Sequence, residues 1–181
     1  MRLLVYGFGP YKQFGDNITQ DIVGELPVSR SLKKIVFPVR FDKRQFTDAV
    51  KKYRPDVVLG LGQCSRGRLL RIERRAVNQR RNHKKEKARP IVRGGPKGLA
   101  VTLRLDRLVL SKRTKTSYDA GDYVCNFSMY VILDYVKRQR LPARFGFIHI
   151  PHRYDPKRAV KCIGRVLRTL QAGPRQRRKR I

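Results

Sequence analysis

Apolar and amphipathic segments alternate along this chain from its first residues to about residue 170. Short continuous apolar or β-branched runs are typical of strands buried inside a sheet, whereas apolar positions three and four apart are typical of helices. Strands are predicted at 2–8, 32–39, 56–62, 68–77, 115–118 and 144–150. Helices are predicted at 18–26, 42–52, 103–110, 121–138 and 155–170. This alternation predicts a single three-layer α/β/α domain whose central sheet is mostly parallel.

Local signals refine several of these elements. Asp42 precedes a helical pattern with Gln45 three residues further on, which is the spacing of a capping box. Asp155 followed by Pro156 predicts an N-cap with proline at the first helical position. The stronger alternation within 68–77 predicts an edge or half-exposed strand. We predict one α/β domain over 1–173, containing a basic surface loop at 79–98, followed by a basic tail at 174–181.

The net charge is far from that of an ordinary enzyme, because 44 Lys and Arg against 13 Asp and Glu give +31 on 181 residues. Runs of like charge are usually solvated faces or mobile tails. So large an imbalance is also typical of proteins that bind a polyanion such as RNA. Basic residues scattered without an aromatic recognition motif predict contact with the RNA backbone. The candidate contacts are Arg80, Arg81, Lys84, Lys85, Lys87 and Arg89 in the loop and Arg177, Arg178, Lys179 and Arg180 in the tail.

The cysteines and the apolar runs bear on cofactors and location. Cys64, Cys125 and Cys162 are an odd, widely spaced set, which argues against a disulfide framework or a zinc site and favours a reducing compartment. No apolar run approaches the ~20 residues that span a bilayer. We therefore predict a cytoplasmic protein with no metal and no cofactor.

Three side chains carry candidate chemistry. Cys125 lies at or just inside the start of a predicted helix, where the helix dipole and exposed N–H groups would lower the pKa of the thiol. His149 lies at the carboxyl end of a predicted strand, and Glu73 is an isolated acid in a basic stretch. Each has an ordinary alternative: a buried inert thiol, a hydrogen-bonded core histidine, and a salt bridge to a neighbouring arginine. Together a thiol, an imidazole and a carboxylate are the minimal set for thiol-based acyl transfer.

The residues around these side chains form four collinear segments. They are Gly7-Phe8-Gly9-Pro10-Tyr11 with Asn17, Gly60-Leu61-Gly62-Gln63 with Glu73-Arg74-Arg75-Ala76-Val77-Asn78, Asp119 to Asn126, and Gly146 to Pro151. Over roughly nine-tenths of the chain, the order of these segments and their residue identities resemble those of the pyroglutamyl peptidase I family, the pyrrolidone-carboxyl peptidases.

The resemblance implies a cysteine exopeptidase that removes N-terminal pyroglutamyl residues from peptides. It implies that Cys125 is the nucleophile, that His149 takes and returns its proton, and that Glu73 orients His149. It also implies a possible homo-oligomer. The alternative hypothesis is a non-catalytic or bifunctional protein that binds RNA or a ribonucleoprotein through the same fold. Peptide turnover and salt-sensitive RNA binding distinguish the two.

The pyroglutamyl lactam is flat and uncharged, so its pocket requires apolar walls and a few polar groups. Phe8 and Tyr11 are the candidate walls, with ordinary core aromatics as the alternative, and Asn17 and Gln63 are the candidate polar groups. The sequence departs from the family pattern in four segments, which bear on the pocket and the assembly but not on the triad. They are Lys12-Gln13, Arg66-Gly67-Arg68, Ala100 to Arg104, and the shortened loop His152-Arg153-Tyr154-Asp155.

Overall fold

The structure is a computed structural model, and it describes residues 1–11, 15–65, 67–83, 85–105 and 113–172. Its strands are β1 Leu3–Phe8, β2 Leu32–Phe37, β3 Val57–Cys64, β4 Leu70–Glu73, β5 Arg75–Val77, β6 Gly98–Ala100, β7 Thr114–Ser117 and β8 Arg144–Pro151. Its helices are α1 Ile18–Glu25, α2 Lys43–Tyr53, α3 Val124–Arg138 and α4 Pro156–Gln171.

Six strands form one sheet in the order β2-β1-β3-β8-β4-β7, and β5 pairs with β6 in a separate antiparallel ribbon. The pairs among β2, β1, β3 and β8 are parallel, and β7 is parallel to β4. The pair β4–β8 is antiparallel, so β4 and β7 run against the other four strands. The predicted α/β fold with a mostly parallel sheet is confirmed.

Helices cover both faces of the sheet. Successive residues of a strand point to opposite faces, so each strand contributes side chains to both helical layers. In β1, Leu4, Tyr6 and Phe8 pack in the core on the side of α2 and α3, whereas Leu3 and Val5 pack on the side of α1 and α4. Helix α2 packs on α3, and α1 packs on α4. The three predicted layers are therefore present, and the α2/α3 face is the one that carries the site described below.

The two predicted helix caps have different outcomes. Asp155 accepts a hydrogen bond from the backbone N–H of Arg158 with proline at the start of α4, which confirms that cap. Asp42 does cap α2, but it accepts from the backbone N–H of Arg44, and the Gln45 side chain donates to the carbonyl of Arg40. The predicted capping box is therefore wrong, since both of its reciprocal bonds have other partners.

The segment predicted as one edge strand at 68–77 is two strands. Its first part, β4, lies inside the sheet between β8 and β7, and the chain leaves the sheet at Arg74 to form β5. Helix α3 also begins three residues later than predicted, because Gly121 has a φ of 77°, a left-handed conformation that a right-handed helix does not contain. The short strand β6 was not predicted.

Some predictions fall wholly or partly on residues outside the described ranges. The helix predicted at 103–110 is described only up to residue 105, and those residues are not helical. Lys84, Lys12-Gln13 and the tail 174–181 lie outside the described residues, so the tail and the boundary at 173 stay predictions. Over its described part, the loop predicted at 79–98 is irregular apart from a single bridge between Arg80 and Arg89 and the first residue of β6. None of the described helices is long and apolar enough to cross a membrane.

Candidate active site

A buried carboxylate and an imidazole meet on the α2/α3 face of the sheet. His149 in β8 and Glu73 in β4 are 3% and 0% exposed, and His149 Nδ1 lies 2.7 Å from Glu73 Oε1. With its proton on Nδ1, the imidazole donates to this carboxylate and keeps Nε2 as an acceptor. The structure therefore brings together two of the three predicted catalytic side chains, in a contact compatible with the tautomer that a general base requires.

Arg71 adds a charge that the sequence prediction did not assign to the site. Its Nε lies 3.5 Å from Glu73 Oε1, and in the β4–β8 register Arg71 is paired directly with His149. Arg71 and Glu73 are two residues apart on one strand, so their side chains share one face. Glu73 thus contacts both the predicted imidazole and a neighbouring arginine, and the two alternatives considered for it are present together.

Cys125 is the second residue of α3 and lies against β3. A Cβ placed on Gly62 would stand 2.8 Å from Cys125 Sγ and 2.7 Å from the ring of Phe147, so only glycine leaves room for the thiol here. Gly62 is paired with His149 in the parallel β3–β8 register. The thiol and the imidazole therefore both lie next to Gly62 on one face of the sheet.

A cavity of about 860 Å³ opens beside this thiol. Its lining includes Cys125 and all four residues predicted to bind substrate, Phe8, Tyr11, Asn17 and Gln63. Other lining residues come from the basic loop and from the start of α3 with the turn before it: Arg81, Asn82, His83, Asp122, Tyr123 and Val124. The cavity gives the predicted nucleophile and the predicted binding residues one common space.

The four predicted binding residues also have structural roles. Phe8 is 2% exposed and packs edge-on against a core tyrosine, as the alternative of a core aromatic requires. Tyr11 is half-buried and lies against Tyr123, with ring centroids 4.9 Å apart. Asn17 caps α1 and donates to the carbonyl of Gly9. Gln63 uses its side-chain oxygen to accept from the first N–H of α1. Their contact with substrate stays a prediction.

The prediction of a lowered pKa for the Cys125 thiol is wrong for this state of the site. Burial, with smaller contributions from the neighbouring Cys64 and Glu73, raises the pKa of Cys125 to about 12, although Arg71 acts to lower it. Cys125 does lie in the first turn of the helix, but the surrounding protein, including β3 at Gly62, reduces the hydration that would stabilise a thiolate. At neutral pH the resting thiol therefore carries its proton.

Burial also lowers the pKa of His149 below its usual 6.5, against the opposing effect of the Glu73 carboxylate. We expect the free energy of unfolding to fall as pH drops below 6.5, because the unfolded chain then binds a proton that the folded imidazole refuses. Urea denaturation across about pH 7.5 to 4.5 measures this, and His149→Gln should flatten the upper part of the curve. The matched variant His83→Gln, in the surface loop, should keep the wild-type slope.

The residues proposed for nucleic-acid contact have mixed environments. The Arg80 guanidinium lies 5.3 Å from the centroid of the Phe41 ring, and Arg81 forms an ion pair with Asp122. These contacts tie both arginines to the fold, and Arg81 also lines the cavity. The exposed members in the described loop are Lys85, Lys87 and Arg89, while Lys84 and the four tail residues lie outside the described residues. Within the described part of the chain, no cluster of three or more His, Cys, Asp or Glu is placed to hold a metal.

Comparison with known proteins identifies the family. The family model for pyroglutamyl peptidase matches residues 1–168. The pyrrolidone-carboxylate peptidase of Pyrococcus furiosus is 30% identical over 182 residues, covering 91% of this chain and 86% of that protein. The one of Erwinia tasmaniensis is 38% identical over 128 residues, and this match spans 65% of the chain and 57% of that protein.

Structural similarity agrees at the level of the fold. A mutant pyrrolidone carboxyl peptidase from Pyrococcus furiosus superposes with a TM-score of 0.86 at 24% identity, covering 96% of this chain and 99% of that one. An identity this low supports the shared fold alone. It is the match of the family model to nearly the whole chain, together with the full-length relative, that shows membership. The chain belongs to the pyroglutamyl peptidase family.

Proposed function

We propose that this protein is a cysteine exopeptidase that hydrolyses N-terminal pyroglutamyl residues from peptides through Cys125, His149 and Glu73. The observation that carries the proposal is the buried 2.7 Å contact between His149 and Glu73 on the face of the sheet where Cys125 packs against Gly62. Nucleophile, base and orienting carboxylate are the three roles that thiol-based acyl transfer needs.

In the proposed reaction Cys125 attacks the substrate and His149 carries out the proton transfers. His149 Nε2 accepts the proton of the Cys125 thiol while Sγ attacks the pyroglutamyl carbonyl. Backbone N–H groups in the first turn of α3 have no helical acceptor, and they stabilise the resulting oxyanion. His149 then gives its proton to the leaving amine as the C–N bond breaks. Water, activated by the same imidazole, hydrolyses the thioester and releases pyroglutamate and the thiol.

The two pKa shifts determine how the first step of the reaction proceeds. The raised pKa of Cys125 and the lowered pKa of His149 both favour a neutral thiol beside a neutral imidazole. Proton transfer is therefore coupled to substrate attack instead of preceding it as a stable ion pair. Glu73 has its largest effect at this step, because its carboxylate stabilises the imidazolium that forms.

Hydrolysis of a pyroglutamyl-coumarin amide by purified, nucleic-acid-free protein tests the proposal. The matched substrate is the prolyl-coumarin amide, which has the same five-membered ring but a charged amine and no lactam carbonyl. We expect release of coumarin from the first and at least tenfold slower release from the second, roughly the penalty for one unmatched buried polar group. Folded protein that hydrolyses neither substrate would overturn the proposal.

RNA binding is a second candidate, and we propose it only as an additional property. The net charge of +31 favours it, together with the exposed Lys85, Lys87 and Arg89 in the described part of the loop. Binding to a single-stranded RNA oligonucleotide should weaken by about tenfold or more between low and physiological salt, because neutralised phosphates release counterions. Weak binding at low salt, or binding unchanged by deletion of 174–181, would contradict it.

Assembly and location stay proposals as well. We propose that the protein forms a homo-oligomer and resides in the cytoplasm. For the location, the supporting observation is that no disulfide joins Cys64, Cys125 and Cys162, as a reducing compartment favours. For the assembly, the only support is the family resemblance. Sedimentation of the purified protein tests the assembly, and a monomer at working concentration would contradict it. Cell fractionation tests the location.

A further inference from the structure

We propose that a second, arginine-lined cleft beside the active site binds acidic side chains of the peptide that follows the pyroglutamyl residue. The inference rests on the proposed peptidase function and specifies its substrate class. The cleft has a volume of about 990 Å³. It is lined by Ser65, Gly67, Arg68, Arg113, Pro151, His152, Arg153, Tyr154, Asp155 and Arg158.

The sheet topology explains why basic residues from distant parts of the sequence meet here. Ser65 and Pro151 stand at the carboxyl ends of the parallel strands β3 and β8. Because β4 and β7 run in the opposite direction, the residues that precede them, Arg68 and Arg113, reach the same edge of the sheet. The backbone N–H of Leu70 donates to the carbonyl of Arg113, which holds the segments that lead into β4 and β7 side by side.

The lining is strongly cationic. Arg68, Arg113 and Arg153 are exposed at the cleft, and Arg158 adds a fourth guanidinium from the first turn of α4. Among the described residues of the lining, Asp155 is the one carboxylate, and it is engaged as the cap of α4 and in a 3.2 Å ion pair with Arg158. The lining thus has four positive charges and one negative charge, and the negative charge is paired within the protein. This balance favours an anionic ligand.

The cleft and the cavity at Cys125 share a lining residue. Ser65 lines both spaces, and it directly follows Cys64 in β3. The backbone N–H of His152 donates to the carbonyl of Cys64, so the wall of the cleft is attached to the strand that carries Gly62. In the proposed binding mode, a peptide whose first residue occupies the cavity at Cys125 runs past Ser65 into the cleft. At ~3.3 Å per extended residue, side chains two or three positions further on reach a neighbouring cleft.

Two segments that the peptidase chemistry leaves unexplained form this cleft. They are the shortened loop from His152 to Asp155 after the catalytic histidine and the shifted arginine at Gly67-Arg68. Both departures place guanidinium groups in the cleft, which shares Ser65 with the cavity at Cys125. Exposed guanidinium–carboxylate pairs contribute modestly and are screened by salt, so the expected effect is a preference among peptides and not an absolute requirement.

Three amidated peptides test the inference: pyroglutamyl-Ala-Asp-Asp, pyroglutamyl-Ala-Ala-Ala and pyroglutamyl-Ala-Lys-Lys. Release of pyroglutamate is followed by chromatography, and kcat/KM is compared at low and high ionic strength. We expect kcat/KM for the Asp-Asp peptide to exceed that for the Lys-Lys peptide by about tenfold at low salt. The ratio should shrink several-fold in high salt, as screening of exposed charges requires.

Arginine substitutions in the cleft test whether it causes the preference for the Asp-Asp peptide. Arg153→Ser combined with Arg68→Ser should bring the Asp-Asp to Lys-Lys ratio to about one-third of the wild-type value or less, and Arg153→Glu should lower it further. Arg30→Ser is the matched control, because it removes one exposed arginine at the opposite edge of the sheet, just before β2, and it should keep the wild-type ratio. Circular dichroism spectra confirm that each variant is folded.

The outcomes separate the two proposals. If wild-type protein cleaves none of the three peptides, the peptidase function itself fails. If it cleaves all three with equal kcat/KM at low salt, the function stands and the acidic-peptide cleft is wrong. A preference for the Asp-Asp peptide that survives both Arg153→Glu and the double variant would also overturn the cleft, since the selectivity would then reside elsewhere.

Discussion

Replacing the Cys125 thiol with a hydroxyl in Cys125→Ser should reduce kcat for pyroglutamyl-coumarin amide by at least about a thousandfold. The imidazole beside it has a lowered pKa and is a weak base, so it is suited to a thiol and far less able to ionise a hydroxyl. KM should change little, because the residues proposed to bind the pyroglutamyl ring are other members of the cavity lining. Steady-state kinetics over a range of substrate concentrations separates the two effects.

Cys162→Ser is the matched control for this prediction. It makes the same chemical change in α4, where Cys162 is half-buried against the core on the far side of the sheet. Its turnover should stay within about twofold of wild type, as for a substitution far from the reacting atoms. A Cys125→Ser protein that kept a tenth or more of wild-type kcat would show that the nucleophile lies elsewhere.

Strands that are buried on both faces were predicted closely from the sequence. β1, β3 and β8 form continuous apolar runs, and their predicted bounds differ from the observed ones by no more than two residues at either end. Such runs arise where a parallel strand is covered by helices on each side, and local composition alone reveals them. The order of strands and the antiparallel direction of β4 depend on contacts between distant segments, which one sequence does not contain.

β4 was misjudged for a reason that concerns the site. Arg71 and Glu73 alternate with Leu70 and Ile72, and this alternation is typical of a strand with one face in water. Here Glu73 is buried instead, because it contacts His149 and Arg71 inside the protein. A functional site that places charged groups inside a sheet therefore looks like a solvated edge in the sequence.

The electrostatics of Cys125 were beyond the sequence for a similar reason. The start of α3 was predicted to within three residues, and from it a lowered pKa. The raised pKa follows chiefly from burial of the thiol beside Gly62, which belongs to β3, a strand distant in sequence. Local sequence placed the thiol at the helix start, but tertiary packing decides its ionisation.

Glu73→Gln should reduce kcat by about a hundredfold or more with little change in KM. The neutral amide no longer stabilises the imidazolium, and when its NH₂ group faces Nδ1 the ring must carry its proton on Nε2, where it is no longer a base. Because the hydrogen bond and the charge of Glu73 both raise the pKa of His149, their loss lowers that pKa further. The acidic limb of the kcat/KM profile should therefore move to lower pH, which stopped-flow or initial-rate measurements across the acidic range detect.

Two further variants separate the role of the charge from that of the geometry. Glu25→Gln removes an exposed carboxylate at the end of α1 and should leave kcat and the pH profile unchanged. Glu73→Asp keeps the negative charge but shortens the side chain by one methylene, so it cannot span the same 2.7 Å contact without backbone movement. If the charge dominates, Glu73→Asp recovers most of the activity that Glu73→Gln loses. If orientation dominates, the two variants are about equally impaired. Full activity with an unmoved acidic limb in Glu73→Gln would refute both roles, since the imidazole would then be held and tuned by other groups.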